Sequence, residues 1–184
     1  MEDRARRIVR TAVELAEKGG FEAVRLRDVA ASANVALGTL YRHFRSKEDL
    51  LVAALAEEVE QLERYMASHP ARGSTPRERV ASFFGVATRG LCRRPMLAQA
   101  VLRAATSGQP ELAEKVASFH GRMTTLITNA LRGNDGETAT ERAGDIALVL
   151  EFVWFASLVG WGGGLHDQDT IVSHMRTAAS LMLP

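Results

Sequence analysis

Five donor side chains crowd into a short stretch of this chain: Thr39, Tyr41, Arg42, His43 and Lys47. Their hydroxyl, phenol, guanidinium, imidazole and ammonium groups can all donate hydrogen bonds to phosphate oxygens. The residues that lead into this set are of another kind. Ala36, Leu37, Gly38 and Thr39 are small, or apolar without an evident core partner. Such residues let a backbone come close to base edges, and Leu37 and the Thr39 methyl suit thymine methyl groups. The Thr39 hydroxyl can reach a base or a phosphate. The pattern implies contact with a nucleic-acid duplex, and Arg27 on the preceding segment joins the same set.

These residues need elements to hold them. Leu26, Val29, Ala30 and Ala33 share one face of a short helix over 26–33, and Asn34, which tolerates the left-handed conformation, makes the turn. A second helix over 37–44 follows, with Leu40, Tyr41 and Phe44 available to face inward. Two helices joined by a tight turn place the second in a major groove. Before them, Ile8, Ala12, Leu15 and Ala16 mark an amphipathic helix over 4–18, ended by Gly19-Gly20, after which Phe21 returns the chain to the core. After them, Ser46 with Asp49 has the capping-box pattern. It opens a helix to about Ser68 that carries Leu51, Leu55, Val59, Leu62 and Tyr65 on one face. At 1.5 Å per residue this helix spans roughly 30 Å and ties the N-terminal bundle to the rest. Lys47 stands at its start, where free amides and the helix dipole favour an anion.

The remainder reads as helix after helix. His69 to Ser74 is a loop, and Thr75-Pro76 with Glu78 starts a helix buried through Val80, Phe83, Phe84, Ala87 and Leu91. Pro95 opens a short helix over Met96–Ala105. Leu112, Val116, Phe119, Met123 and Leu126 mark another that ends near Leu131. Gly133 to Thr140 is expected to be a disordered loop. A penultimate helix runs from about Glu141 to Trp161, Gly162 to Gly164 breaks it, and a last helix occupies Asp169–Leu183. The expected fold is all-α with about nine helices. Residues 1–48 form the duplex-binding part, and 49–184 a helical body for ligand binding and dimerisation.

Composition narrows the function. A net charge of +1 over 184 residues excludes a general polycation, so any duplex contact is local. Residues 1–50 have a balance of +2 and the rest −1. The lone Cys92 reads as a buried small hydrophobe, and no paired cysteines point to an oxidising compartment. The N-terminus lacks the apolar core of a signal peptide. The most apolar stretch, Ile146 to Trp161, is interrupted by Glu151 and falls short of the roughly 20 residues of a membrane span. A cytoplasmic protein without membrane attachment is expected.

The penultimate helix is apolar at every azimuth and must be covered on both sides. A second copy of the chain is one cover and its own neighbours are another. For a homodimer, Phe152, Phe155 and Val159, with Ile171, Met175 and Leu181 on the last helix, form the expected interface. Phe83, Phe84, Met96, Leu97, Val101, Phe119, Met123, Phe152 and Trp154 are core residues that can also wall an apolar cavity, with Arg103, His120 and Glu151 as its polar groups. Filling that cavity is expected to change the spacing of two duplex-reading heads. His69, His120, His166 and His174 read as surface or core histidines. His166 to Asp169 has too few neighbouring ligands for a metal site. No cofactor is expected. An enzyme built on a histidine and a carboxylate lacks a Ser/His/Asp set, a phosphate loop or an HExxH motif. A protein-binding adaptor would not need Tyr41, Lys47 and clustered arginines, and salt-dependent binding to a specific duplex separates it from a DNA-binding protein.

The run VALGTLYRHFRSKEDLL resembles the recognition helix and following junction of TetR-family repressors. The likeness covers residues 4 to 55. It implies that Tyr41, His43 and Lys47 anchor phosphates, that Thr39 contacts backbone or base, and that Ala36 and Leu37 read bases. Two positions depart from the family pattern: Ala36 replaces a small polar residue, and Arg25 replaces a threonine that caps the second helix. Together with LAEKGGFEAVRLRDVA, the run looks most like the KstR type of cholesterol-catabolism regulator. That resemblance implies a repressor of lipid or sterol catabolism or transport genes, with a sterol-derived or acyl-CoA-like effector. A TetR-type regulator of an unrelated aromatic or drug-like ligand is the alternative.

Overall fold

The computed structural model describes residues 2–133 and 142–183, with side chains from Arg4 onward. The loop expected over Gly133 to Thr140 lies, beyond Gly133, outside the described residues. Among these there are nine α-helices and no strand: α1 Glu2–Ala23, α2 Leu26–Ser32, α3 Leu37–His43, α4 Lys47–Ser68, α5 Pro76–Cys92, α6 Pro95–Ala105, α7 Ala113–Arg132, α8 Ala143–Gly162 and α9 Gln168–Met182. A 3-10 turn at Pro110–Leu112 precedes α7. The chain divides into two compact units, residues 1–58 with 94–117, and residues 59–93 with 118–184. In the first unit α6 packs on α1.

In the first unit Ile8, Ala12, Ala16, Val24, Val29, Leu40, Leu50 and Leu51 have no exposed surface. Burying a large aliphatic side chain stabilises by roughly 1.5–3 kcal/mol, so this small core holds the short helices that propensity alone would not. α1 is broken where the sequence reading ends it: Gly19 and Gly20 leave helical geometry, Gly20 at φ +63°. Asn34 sits at φ +52°. Its N–H bonds Ala31 O at 3.1 Å and that of Val35 bonds Ala30 O at 3.0 Å, the two closing bonds of a Schellman motif that ends α2 and aims α3. At the start of α4, Ser46 Oγ accepts from the Asp49 N–H at 3.0 Å, while Asp49 accepts from the Arg45 N–H at 3.0 Å.

In the second unit α5 begins with a full capping box between Thr75 and Glu78. Its Arg79, buried, donates to the carbonyls of Ala130 (3.0 Å) and Leu131 (2.8 Å) and so caps the end of α7. Phe83, Phe84, Met123, Ile127, Leu150, Leu158, Ile171 and Met175 form the core. Burial of Ile171 and Met175 corrects the expectation that both face a second copy. Their stripe of α9 packs on α5 and α8 of the same chain. Leu181, in contrast, is exposed, as are Leu148, Val149, Phe152 and Val159 of α8. α8 is also longer than the apolar stretch suggests, and its 20 residues are long and apolar enough to cross a membrane. Glu151 and Trp154 nevertheless lie buried within it, as in a core helix.

Candidate nucleic-acid interface

The turn of α2 into α3 presents the base-reading candidates outward. Ala36 and Gly38 are exposed, while Leu37 and Thr39 are partly so. A methyl group added to Gly38 would meet nothing within 4 Å. Glycine in a helix costs about 0.5–1 kcal/mol relative to alanine, and nothing in this chain's packing requires it there. Thr39 Oγ1 accepts from Arg42 Nη2 at 2.9 Å, which steadies the guanidinium and leaves the hydroxyl proton free to point outward.

Tyr41 is half-exposed, a correction to its expected place beside Leu40 and Phe44. On a seven-residue helix those two suffice to fill the inner face. Tyr41, Arg42, His43, Arg45, Ser46 and Asp49 line a groove of about 660 Å³, with Gln109, Glu111, Leu112 and Lys115 on its other side. Asp49 is buried there and pairs with Lys115, a residue the sequence reading passed over. Arg27 is exposed on α2. Arg25, at the N-cap of α2, makes no side-chain capping bond.

Lys47 is not simply free. Its ammonium lies 3.3 Å from Glu22 Oε2 and 3.9 Å from the centroid of the Phe21 ring. Glu22 is held below the usual carboxylate range, first by the Lys47 hydrogen bond and charge, with burial opposing and Arg103 adding to the effect. No sequence signal marks this contact, because its partners are 25 and 81 residues apart.

The candidates for an apolar ligand fall into two groups. Met96, Leu97, Val101 and Arg103 belong to the first unit; Phe83, Phe84, Phe119, His120, Met123, Phe152 and Trp154 belong to the second. Leu97 and Val101 are buried, and Met96 is partly exposed. Arg103 stands on the surface, 2.9 Å from Glu22 and over the Phe21 ring, away from any apolar interior. In the second unit the His120 ring makes edge contacts with Phe119, Phe152 and Phe155. Its Nδ1 is 2.8 Å from Oε1 of the buried Glu151, whose Oε2 has no hydrogen-bond partner among the described residues. Burial raises the Glu151 pKa above the usual range, against the His120 hydrogen bond. Trp154 Nε1 donates to Thr88 Oγ1 at 2.9 Å, and the Trp154 ring leans on Phe84. Burial pushes the Cys92 thiol up to about 12, so it is unreactive. His166 bonds the Asp167 carbonyl, and Asp167 caps α9.

Residues 8–54 match the family described as bacterial regulatory proteins, tetR family, and residues 73–182 match the tetracyclin repressor-like C-terminal domain. The transcriptional repressor KstR of Mycolicibacterium smegmatis is 37% identical over 159 residues, which is 86% of this chain and 76% of that protein. A TetR transcriptional regulator from Rhodococcus sp. RHA1 superposes with a TM-score of 0.84 at 29% identity, covering 98% of this chain and 95% of the other. The regulator FadR of Bacillus subtilis, solved in complex with stearoyl-CoA, has the same fold, with a TM-score of 0.65 at 20% identity over 96% of each chain.

Proposed function

The chain belongs to the TetR family of bacterial regulatory proteins, and on that premise we propose that it is a cytoplasmic, ligand-responsive repressor that binds a pseudo-palindromic operator as a homodimer. The observation that carries the reading is the leading turn of α3, exposed and open around Gly38. Ala36, Leu37, Gly38 and Thr39 meet base edges in the major groove, while Arg27, Tyr41, Arg42, His43 and Lys47 hold phosphates on either side. Two-fold symmetry of the dimer demands two related half-sites.

The effector is a small apolar molecule held in the second unit among Phe83, Phe84, Phe119, Met123 and Trp154, with Phe152 at its edge. The unpartnered Glu151 oxygen beside His120 is a polar anchor for a ligand that carries one hydrogen-bond donor. The sequence resemblance to the KstR type of cholesterol-catabolism regulator supports a sterol-derived acid or its CoA thioester, and the stearoyl-CoA bound by FadR supports a long acyl chain as the other source. The regulated genes are then those of lipid or sterol catabolism or transport.

Selection of bound fragments from a genomic library, followed by titration at several salt concentrations, tests the DNA reading. A dyad-symmetric site should emerge, Leu37 variants should change base preference, and Tyr41→Phe should weaken all sequences alike. If no fragment binds better than random DNA, the reading fails. Thermal-shift panels of sterol acids, acyl-CoAs and aromatic compounds test the ligand, since a true effector raises Tm and changes operator affinity together.

A further inference from the structure

Four side chains of the first unit meet where the Gly19-Gly20 break ends. Phe21 and Glu22 follow the break, Lys47 opens α4, and Arg103 comes from the last turn of α6. The Glu22 carboxylate bridges two cations, Lys47 at 3.3 Å through Oε2 and Arg103 at 2.9 Å through Oε1. Both cations also lie over the Phe21 ring, at 3.9 and 4.1 Å from its centroid.

Glu22 and Arg103 side chains are 70% and 61% exposed, and ion pairs at such positions contribute little. The node does decide which charge faces outward beside the recognition helix. An ammonium has three donors, so Lys47 can touch Glu22 and a phosphate at once, but the carboxylate then lies near the phosphate and repels it. Arg103 neutralises that carboxylate. With Arg103 in place the three groups carry +1 together; without it they carry none.

We propose that Glu22 and Arg103 are positioning residues that set how strongly Lys47 holds DNA: Glu22 competes with phosphate for the ammonium, and Arg103 on α6 draws Glu22 away. The Phe21 ring fixes the height of both cations. This rests on the reading of Lys47 as a phosphate anchor. It makes the placement of α6 against the end of α1 a control on DNA affinity through charge alone, without any change in the base-reading turn.

The test is fluorescence anisotropy with the full-length protein on the selected operator and on a random duplex, at four salt concentrations. Glu22→Gln should tighten both duplexes by about 3- to 10-fold, while Glu22→Asp, which keeps the charge, should stay closer to the parent. Arg103→Gln should weaken both by about the same factor, and in the Glu22→Gln background its effect should vanish, since no carboxylate remains to neutralise. Melting temperatures identify any variant that fails to fold. If Glu22→Gln leaves affinity unchanged in a folded protein, the proposal is wrong. It is equally wrong if Arg103→Gln weakens binding whether or not Glu22 is charged, because Arg103 then touches DNA itself. Lys47→Gln separates this proposal from the reading beneath it: loss of one phosphate contact lowers the salt slope by about 0.9. An unchanged slope removes the anchor role and the proposal with it; a lowered slope with an inert Glu22 removes the proposal alone.

Discussion

His120 Nδ1 stands 2.8 Å from Glu151 Oε1, and the other oxygen of that buried carboxyl has no partner among the described residues. Burial raises the Glu151 pKa despite the imidazole. A carboxyl whose folded-state pKa exceeds its unfolded one binds its proton more tightly when folded. The folded state is therefore favoured at acid pH and loses that advantage as pH rises through the folded pKa. Glu151→Gln, which keeps an acceptor for His120, should stabilise the ligand-free protein by about 1 kcal/mol at pH 7–8. The gain should disappear below the ordinary glutamate value of 4.5. Urea unfolding from pH 4 to 8 checks this, and a difference that stays constant with pH argues against it.

Gly38 sets stability against function. Because a Cβ there meets nothing, Gly38→Ala should raise folding stability by about 0.5–1 kcal/mol. With this turn set against base edges as proposed, the same methyl group would meet the major groove, so operator affinity should fall by at least about tenfold while random DNA is bound nearly as before. Denaturant titration and anisotropy on one preparation give both numbers. An alanine variant that is more stable and binds the operator equally well would place the base-reading turn elsewhere.

What could be read from the chain were features whose cause is local. Asn34 at the turn, the Ser46 and Thr75 caps and the Gly19-Gly20 break depend on residues within five positions of each other, and the structure contains all of them. Side-chain direction on short or evenly apolar helices could not be read. Tyr41 and Leu40 are neighbours on a seven-residue helix, and only packing with α1 and α2 decides which turns inward. Ile171, Met175 and Leu181 look alike in the sequence, yet the first two are buried by their own chain and the third is exposed. Arg103 was expected at an apolar cavity because nothing in its surroundings points to Glu22, 81 residues away.

The departure at Arg25 has a measurable consequence. This residue occupies the N-cap of α2 in extended geometry, φ −111° and ψ 128°, without a side-chain capping bond. A threonine there accepts from the N–H two or three residues on. Arg25→Thr should stabilise the protein by about 1 kcal/mol. If Arg25 makes no phosphate contact, the salt slope of DNA binding should be unchanged. Thermal and urea unfolding report the first expectation, and salt titration the second.

The exposed stripe of α8 predicts the assembly. Leu148, Phe152 and Val159 recur at spacings of four and seven, Val149 lies beside them, and all are 39–51% exposed in the single chain. Half-exposed side chains of this size each leave about 1 kcal/mol of burial unrealised, and two-fold pairing counts every one twice. Leu181 on α9 is 81% exposed as well, whereas Ile171 and Met175 are buried and cannot contribute. Phe152→Glu should therefore give a folded monomer, because the side chain it replaces supports little of the chain's own core, although it touches His120. A monomer presents one α3 at a time, so its operator affinity should fall by 100-fold or more, toward that for a single half-site. Sedimentation velocity at micromolar concentration and circular dichroism decide the matter together. A helical dimer of Phe152→Glu would move the interface off this stripe, while a parent protein that sediments as a monomer would end the dimer reading altogether.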